Sequence, residues 1–188
     1  MDAETIVEKT LETYQNTTLI SAEIKQTRII KNINRKNVAK GHIFLAHENK
    51  IRIEYKSPQE QIIVSDGDSI WMYTPMNEQV LLRPATGSEN FMFQYFQDAN
   101  PTLITDDEII NKTPCYLIEL TPNQDAGGDI RKIHTWINQK TFLPDQIKLT
   151  DINDNIVIYT LSDIRQKDAI KEGLFQFTIP ENVEVFRE

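Results

Sequence analysis

The sequence is short of several things, and each shortage excludes a class of protein. Its 188 residues include one cysteine, Cys115, so no internal disulfide framework can form. That cysteine lies in the strand-like run Pro114-Cys-Tyr-Leu-Ile with no histidine nearby in sequence. A nucleophilic thiol needs a base, so Cys115 reads as a small buried apolar side chain. Long apolar runs are missing: uninterrupted stretches last a few residues, far short of the ~20 that a transmembrane helix requires. Positive charge is scarce and dispersed, with 20 Lys and Arg against 28 Asp and Glu, a net charge of −8. Phosphate contacts need a clustered basic face, so nucleic acid is not an expected partner. The nearest approach to a cluster is Lys31, Arg35, Lys36 and Lys40, which a solvated strand edge accounts for.

Chemistry-bearing motifs are equally sparse. The three histidines are His42, His47 and His134. His42 and His47 are five apart in strand-like sequence, an odd offset that sends them to opposite faces and away from a shared metal. No His-Glu-x-x-His, Gly-x-Ser-x-Gly or P-loop pattern occurs. Gly127-Gly128 reads as a turn. Asp151-Ile-Asn-Asp-Asn155 begins like a calcium loop, but Ile156 stands at the glycine position and Ser162 at the bidentate acid, so a hairpin turn is expected. Trp71 and Trp136, with Tyr55 and Tyr73, have no basic groove beside them and read as core or cavity lining. No catalytic residue, metal or cofactor is expected, and the chain is not read as an enzyme. Hydrophobic residues are only 39% of the chain, yet a compact fold of this size buries roughly 70% of its unfolded surface. One domain over residues 1–188 fits. Met1-Asp-Ala-Glu-Thr reads as an initiator methionine ahead of a mature N-terminus from which a signal has been removed.

What is present is mostly alternation. Residues 3–15 form an amphipathic helix with Ile6, Val7, Leu11 and Tyr14 as its stripe and Asp2 as its N-cap. The period then changes from 3.6 to 2. Strands are expected over 20–32, 38–46, 51–55, 61–65, 69–74 and 79–83, with an Asp66-Gly67-Asp68 hairpin turn. Ser88 to Asp98 reads as a second helix capped by Ser88, with Phe91, Met92, Tyr95 and Phe96 on one face and Phe93 off it. Further strands are expected over 115–120, 130–137, 142–149, 155–161 and 174–178, joined by polar connections. Many strands, short turns and two helices give an α+β fold built on one large antiparallel sheet. A sheet this long must curl or close. The two helices either fill the space beside it or lid a cavity for an apolar ligand.

One stretch is more specific. It runs Lys40-Gly-His-Ile-Phe-Leu-Ala-His-Glu-Asn-Lys-Ile-Arg-Ile-Glu-Tyr55, then Ser57-Pro-Gln-Glu-Gln-Ile-Ile-Val-Ser-Asp-Gly-Asp-Ser-Ile-Trp-Met-Tyr-Thr-Pro75, then Glu78-Gln-Val80. This resembles the LolA family of periplasmic carriers of outer-membrane lipoproteins. A second match is the ending Phe175-Gln-Phe-Thr-Ile-Pro180-Glu-Asn-Val183-Glu-Val185, similar to the family's Phe-x-Phe-x-x-Pro-x-x-Val-x-Val. The resemblance implies an incomplete, half-open antiparallel β-barrel of about eleven strands, with helices lidding an apolar cavity. It implies a monomeric periplasmic carrier that takes the acyl chains of a lipoprotein from an inner-membrane ABC release complex and passes them to an outer-membrane acceptor. A carrier or sensor of another amphiphile, such as a glycolipid or polyene lipid, or a protein-binding sensor domain, uses the same fold.

On this resemblance the cavity is expected to be lined by Leu11, Ile51, Ile53, Tyr55, Ile63, Trp71, Tyr73, Phe91, Met92, Tyr95 and Phe96. Two departures stand out. Where the family typically has Arg-Pro, with the arginine latching the lid, this chain has His47-Glu48, and a histidine donates at most two hydrogen bonds. Ile51 and Ile53 occupy positions where bulky aromatics are common in the family.

Overall fold

The computed structural model describes residues 1–87, 89–97, 99–122 and 128–188. It opens with one helix, α1 (Ala3–Gln15), whose N-cap Asp2 accepts a hydrogen bond from the Thr5 amide at 2.9 Å, as its sequence predicts. Asn16 closes the helix through its own amide to the Glu12 carbonyl. Twelve strands follow: β1 (Leu19–Ile30), β2 (Arg35–Leu45), β3 (Lys50–Ser57), β4 (Gln61–Asp66), β5 (Ser69–Thr74), β6 (Gln79–Pro84), β7 (Ala99–Ile110), β8 (Thr113–Pro122), β9 (Ile130–Asn138), β10 (Pro144–Asp151), β11 (Ile156–Lys167) and β12 (Glu184–Arg187). All join one sheet, ordered β12-β6-β5-β4-β3-β2-β1-β11-β10-β9-β8-β7. The sheet does not close: β12 and β7 are its two edges.

The turns follow the local chemistry. Asp66 Oδ1 accepts from the amides of Asp68 and Ser69 at 2.9 and 2.8 Å, and Gly67 takes φ +106°, which closes the β4–β5 hairpin where Asp-Gly predicts it. Asn34 supplies the left-handed residue after the 3-10 turn Lys31–Ile33 that joins β1 to β2. Lys31, Arg35, Lys36 and Lys40 therefore lie on this turn and on β2. All four are exposed, and Arg35 and Lys36 lie on the part of β2 that precedes its pairing with β3, which begins at Lys40.

Three expectations change. Residues 91–95 form successive turns, with Phe96 N donating to the Phe93 carbonyl at 3.1 Å, so the second helix does not form there. Its ends, Ser88 and Asp98, lie outside the described residues, as does Gly127. Residues 99–110, unassigned from sequence, form β7. Its Pro101 lacks an amide donor, which an edge strand tolerates. Finally, 174–178 is not a strand. The last strand is β12, four residues long and parallel to β6, with Glu184 opposite Gln79 and Arg187 opposite Leu82. Among the described residues the strands number twelve, in keeping with the expectation of about eleven.

The chain divides into two compact units. The first comprises Met1–Asn16, Lys25–Val38 and Met92–Ser162. Its core is one face of β8–β10, where Ile118, Leu120, Ile133, Ile137 and Ile147 are fully buried. Thr135 is buried with them and donates through Oγ1 to the Gln146 carbonyl. Ile6, Val7 and Thr10 form the buried stripe of α1, and Leu11 is half-buried. The second unit comprises Thr17–Ile24, Ala39–Phe91 and Asp163–Glu188.

Candidate functional site

The register of the second unit assigns each side chain to a face, because directly opposed residues of antiparallel strands share one. Ile43 faces Ile53, which faces Ile63, which faces Met72. Likewise Leu45, Ile51, Ser65 and Ile70 are aligned, and Tyr55 faces Gly41. From Gly41 through Met72 this face carries no charged side chain. Ile43, Leu45, Ile51, Ile53, Tyr55 and Ile70 are buried, whereas Ile63 and Met72 are half-buried.

Trp71 and Tyr73 lie on the other face. Trp71 is opposite Val64 and Leu82, and Val64 is opposite Arg52. Tyr73 is opposite Ile62 and Val80. The expectation that Trp71 and Tyr73 line one cavity with Ile51, Ile53, Tyr55 and Ile63 is therefore corrected. Alternation orders one strand internally, but only the pairing register relates two strands, and one residue of offset exchanges the faces. The C-terminal segment supplies what covers this second face. Phe177 lies 6.4 Å from the Trp71 ring and 5.8 Å from the Tyr73 ring, centroid to centroid. Leu174 and Phe175 pack with Leu19, Phe44 and Ala46. The Phe175-Gln-Phe177 motif, read from sequence as a strand, acts as this cover.

His47, the residue at the lid-latch position, lies half-buried in the turn between β2 and β3, and its carbonyl accepts from the Lys50 amide at 3.3 Å. Elsewhere in the second unit, Glu89 is a buried carboxylate. Burial pushes its pKa up, but hydrogen bonds from the Thr86 amide and hydroxyl, with Arg83 at 3.2 Å, outweigh that and hold it below the usual range. Phe91 is buried in the same unit.

Met92, Tyr95 and Phe96 belong to the first unit. Met92 and Phe96 are buried and Tyr95 is half-buried. Phe93, excluded from the apolar set on helical spacing, is 4% exposed and stacks on Tyr14 at 4.0 Å. A turn conformation dissolves the helical face on which that exclusion rested. Trp136 stands on the opposite face of β9 from Ile133 and Ile137, beside His134 at 6.3 Å. Burial lowers the His134 pKa, against the pull of Glu119 at 3.2 Å.

Cys115 is buried and its thiol is pushed up to about 12 by burial and by Asp145, whose Oδ2 lies 3.6 Å from Sγ. That agrees with its reading as an unreactive side chain. Asp145 sits at the register shift between Pro144 and Gln146, and Asn138 Nδ2 donates to it at 3.3 Å. Burial raises its pKa, with the Cys115 and Asn138 hydrogen bonds opposing. A carboxyl raised in the folded state stabilises most where both states are protonated and loses that contribution as pH climbs from the unfolded value, ~3.9, through the folded one. Asp145→Asn is therefore expected to gain stability relative to the parent as pH rises from ~3 through the folded-state pKa. Urea midpoints at several pH values check this; a constant difference would refute it.

Among the described residues no group of three or more His, Cys, Asp or Glu is arranged to hold a metal. Asp151 instead organises its own turn. It accepts from the amides of Asn153 and Asn155 at 2.8 Å each, and these bonds, with the Asn155 side chain foremost, lower its pKa.

Residues 15–178 match the sequence model of the family described as Outer membrane lipoprotein carrier protein LolA. An outer-membrane lipoprotein carrier protein of Shewanella sp. (strain MR-4) is 29% identical over 180 residues, 93% of this chain and 82% of that one. Among solved structures, an uncharacterized conserved protein from Thermus thermophilus superposes with a TM-score of 0.65 at 11% identity, covering 98% of each chain. A LolA superfamily protein from Nitrosomonas europaea gives 0.50 at 14% identity, covering 93% of this chain and 97% of that one. At these identities the structures speak for the fold alone. The family match spans most of the chain, and the open, mostly antiparallel sheet agrees with it: this chain belongs to the LolA family of outer membrane lipoprotein carrier proteins.

Proposed function

We propose that the protein is a soluble periplasmic carrier that holds the acyl chains of an outer-membrane lipoprotein. It receives them from an inner-membrane ABC release complex and surrenders them to an outer-membrane acceptor. The observation that carries this reading is the uncharged face of the second unit, with Ile51, Ile53, Tyr55 and Ile63 on adjacent strands. Each buried CH₂ contributes ~0.8 kcal/mol, so one acyl chain of ordinary length represents roughly 10 kcal/mol of transfer. An apolar surface without polar anchors offers that area while leaving the cargo free to depart, and it is indifferent to the protein attached. Such work uses no catalytic residue. His47 takes the place of the family's latching arginine in this reading.

The test is gentle purification from a periplasmic extract followed by mass spectrometry of bound lipid, with titration of a tripalmitoylated peptide. Saturable binding and recovered lipoprotein are expected. Failure to bind the peptide, with no lipoprotein recovered, would defeat the proposal. A different recovered amphiphile would replace the cargo but keep the carrier.

A further inference from the structure

The second face of the second unit holds a cavity of about 460 Å³ that acyl-chain carriage does not use. That volume falls in the ~300–1,000 Å³ range of small-molecule sites. Its apolar wall is Leu19, Phe44 and Leu174; its polar wall is Arg52, Glu54, Lys167, Lys171 and Glu172. Phe44 and Arg52 are opposed across β2 and β3, so they stand on the face away from Ile51, Ile53 and Ile63.

The guanidinium of Arg52 is oriented before any ligand arrives. Its Nε donates to Glu54 Oε1 at 2.7 Å, and Nη1 reaches the Leu174 carbonyl at 3.4 Å. Nη2 makes no hydrogen bond among the described residues. Lys167 and Lys171 line the same cavity, both exposed and both without an ion-pair partner among the described residues. Three cations face two carboxylates, one of them already spent on Arg52, in a protein whose net charge is −8. A local excess of positive charge beside an apolar wall selects a ligand with an anionic end and an apolar end.

We propose that this cavity binds a single-chain anionic amphiphile. Its phosphate or carboxylate lies against Arg52 Nη2, Lys167 and Lys171, and its chain lies along Leu19, Phe44 and Leu174. The site is independent of the acyl-binding face, and the cover formed by residues 172–175 borders it, so occupancy also fastens the C-terminal segment.

Dodecyl phosphate, titrated calorimetrically, tests this with two variants. Lys167→Glu/Lys171→Glu changes exposed side chains only and is expected to weaken one class of site at least tenfold, while Ile63→Asp removes the other. If the lysine variant binds like the parent, the inference is overturned. If Ile63→Asp abolishes all binding, the inference also fails while the carrier reading stands. If Ile63→Asp changes nothing and the lysine variant loses all binding, the inference stands and the carrier face fails. Dodecanol and inorganic phosphate are the controls: each should bind at least tenfold more weakly than dodecyl phosphate. Equal affinity of either would overturn the two-ended ligand.

Discussion

Replacing Gly41 by alanine is expected to destabilise the protein by about 3 kcal/mol or more, among the largest effects of any single methyl group added to it. The glycine lies at the register shift in β2, opposite Tyr55. A Cβ there would lie 2.1 Å from the Glu54 carbonyl oxygen and 2.7 Å from both the Glu54 carbonyl carbon and the Tyr55 Cα. Every one of these atoms is backbone, so no rotamer change relieves the clash. The only relief is to move β3, which carries Ile53 and Tyr55 on one face and Arg52 and Glu54 on the other. Gly173 is the matched control. It has φ +77° but nothing within 4 Å of a new Cβ, so Gly173→Ala incurs the left-handed conformation alone, about 1 kcal/mol. Urea unfolding of both variants compares the two mechanisms, with an unchanged m-value required for the comparison. A Gly41→Ala protein within about 1 kcal/mol of the parent would mean that β2 and β3 do not approach this closely.

The parts of this fold legible in sequence are those that a single element decides. The span of α1 followed from Asp2, the Ile6-Val7 stripe and Asn16, and β5 from alternation between an Asp-Gly turn and Pro75. The parts decided by partners were not legible. Pro101 reads as a boundary until the strand that contains it is known to have a free side. Phe175 and Phe177 alternate as a strand does, yet their segment is used to cover Phe44, Trp71 and Tyr73. Phe93 fell outside a helical face that never forms. The candidate site shows the same division. Ile51, Ile53 and Tyr55 share a face because they share a strand, and Ile63 joins them through the β3–β4 pairing. Trp71 and Tyr73 leave the set through the β4–β5 pairing, which places Ile62 and Val64 beside them.

That division sets up the sharpest functional test. Ile63→Asp is expected to weaken binding of a tripalmitoylated peptide by more than 100-fold while the far-ultraviolet circular dichroism of the parent is retained. Ile63 is half-buried, between Ile53 on β3 and Met72 on β5. Ile43 and Ile53, 0% and 4% exposed, are poorer choices, because a carboxylate there has no route to water and would cost the fold itself. At Ile63 the carboxylate stays hydrated in the empty protein but must be stripped of water by an arriving chain. A 100-fold loss corresponds to about 2.7 kcal/mol, at the low end of the ~2–7 kcal/mol for burying an unpaired polar group. Ile62→Asp is the internal control: one residue away, equally half-buried, and on the face of Tyr73 and Glu54. It should leave acyl binding within a factor of about three of the parent, since the new charge never meets the chain. Equal losses in the two variants would show that the register does not decide which side of the sheet carries the cargo, and the assignment of the acyl-binding face would have to be abandoned.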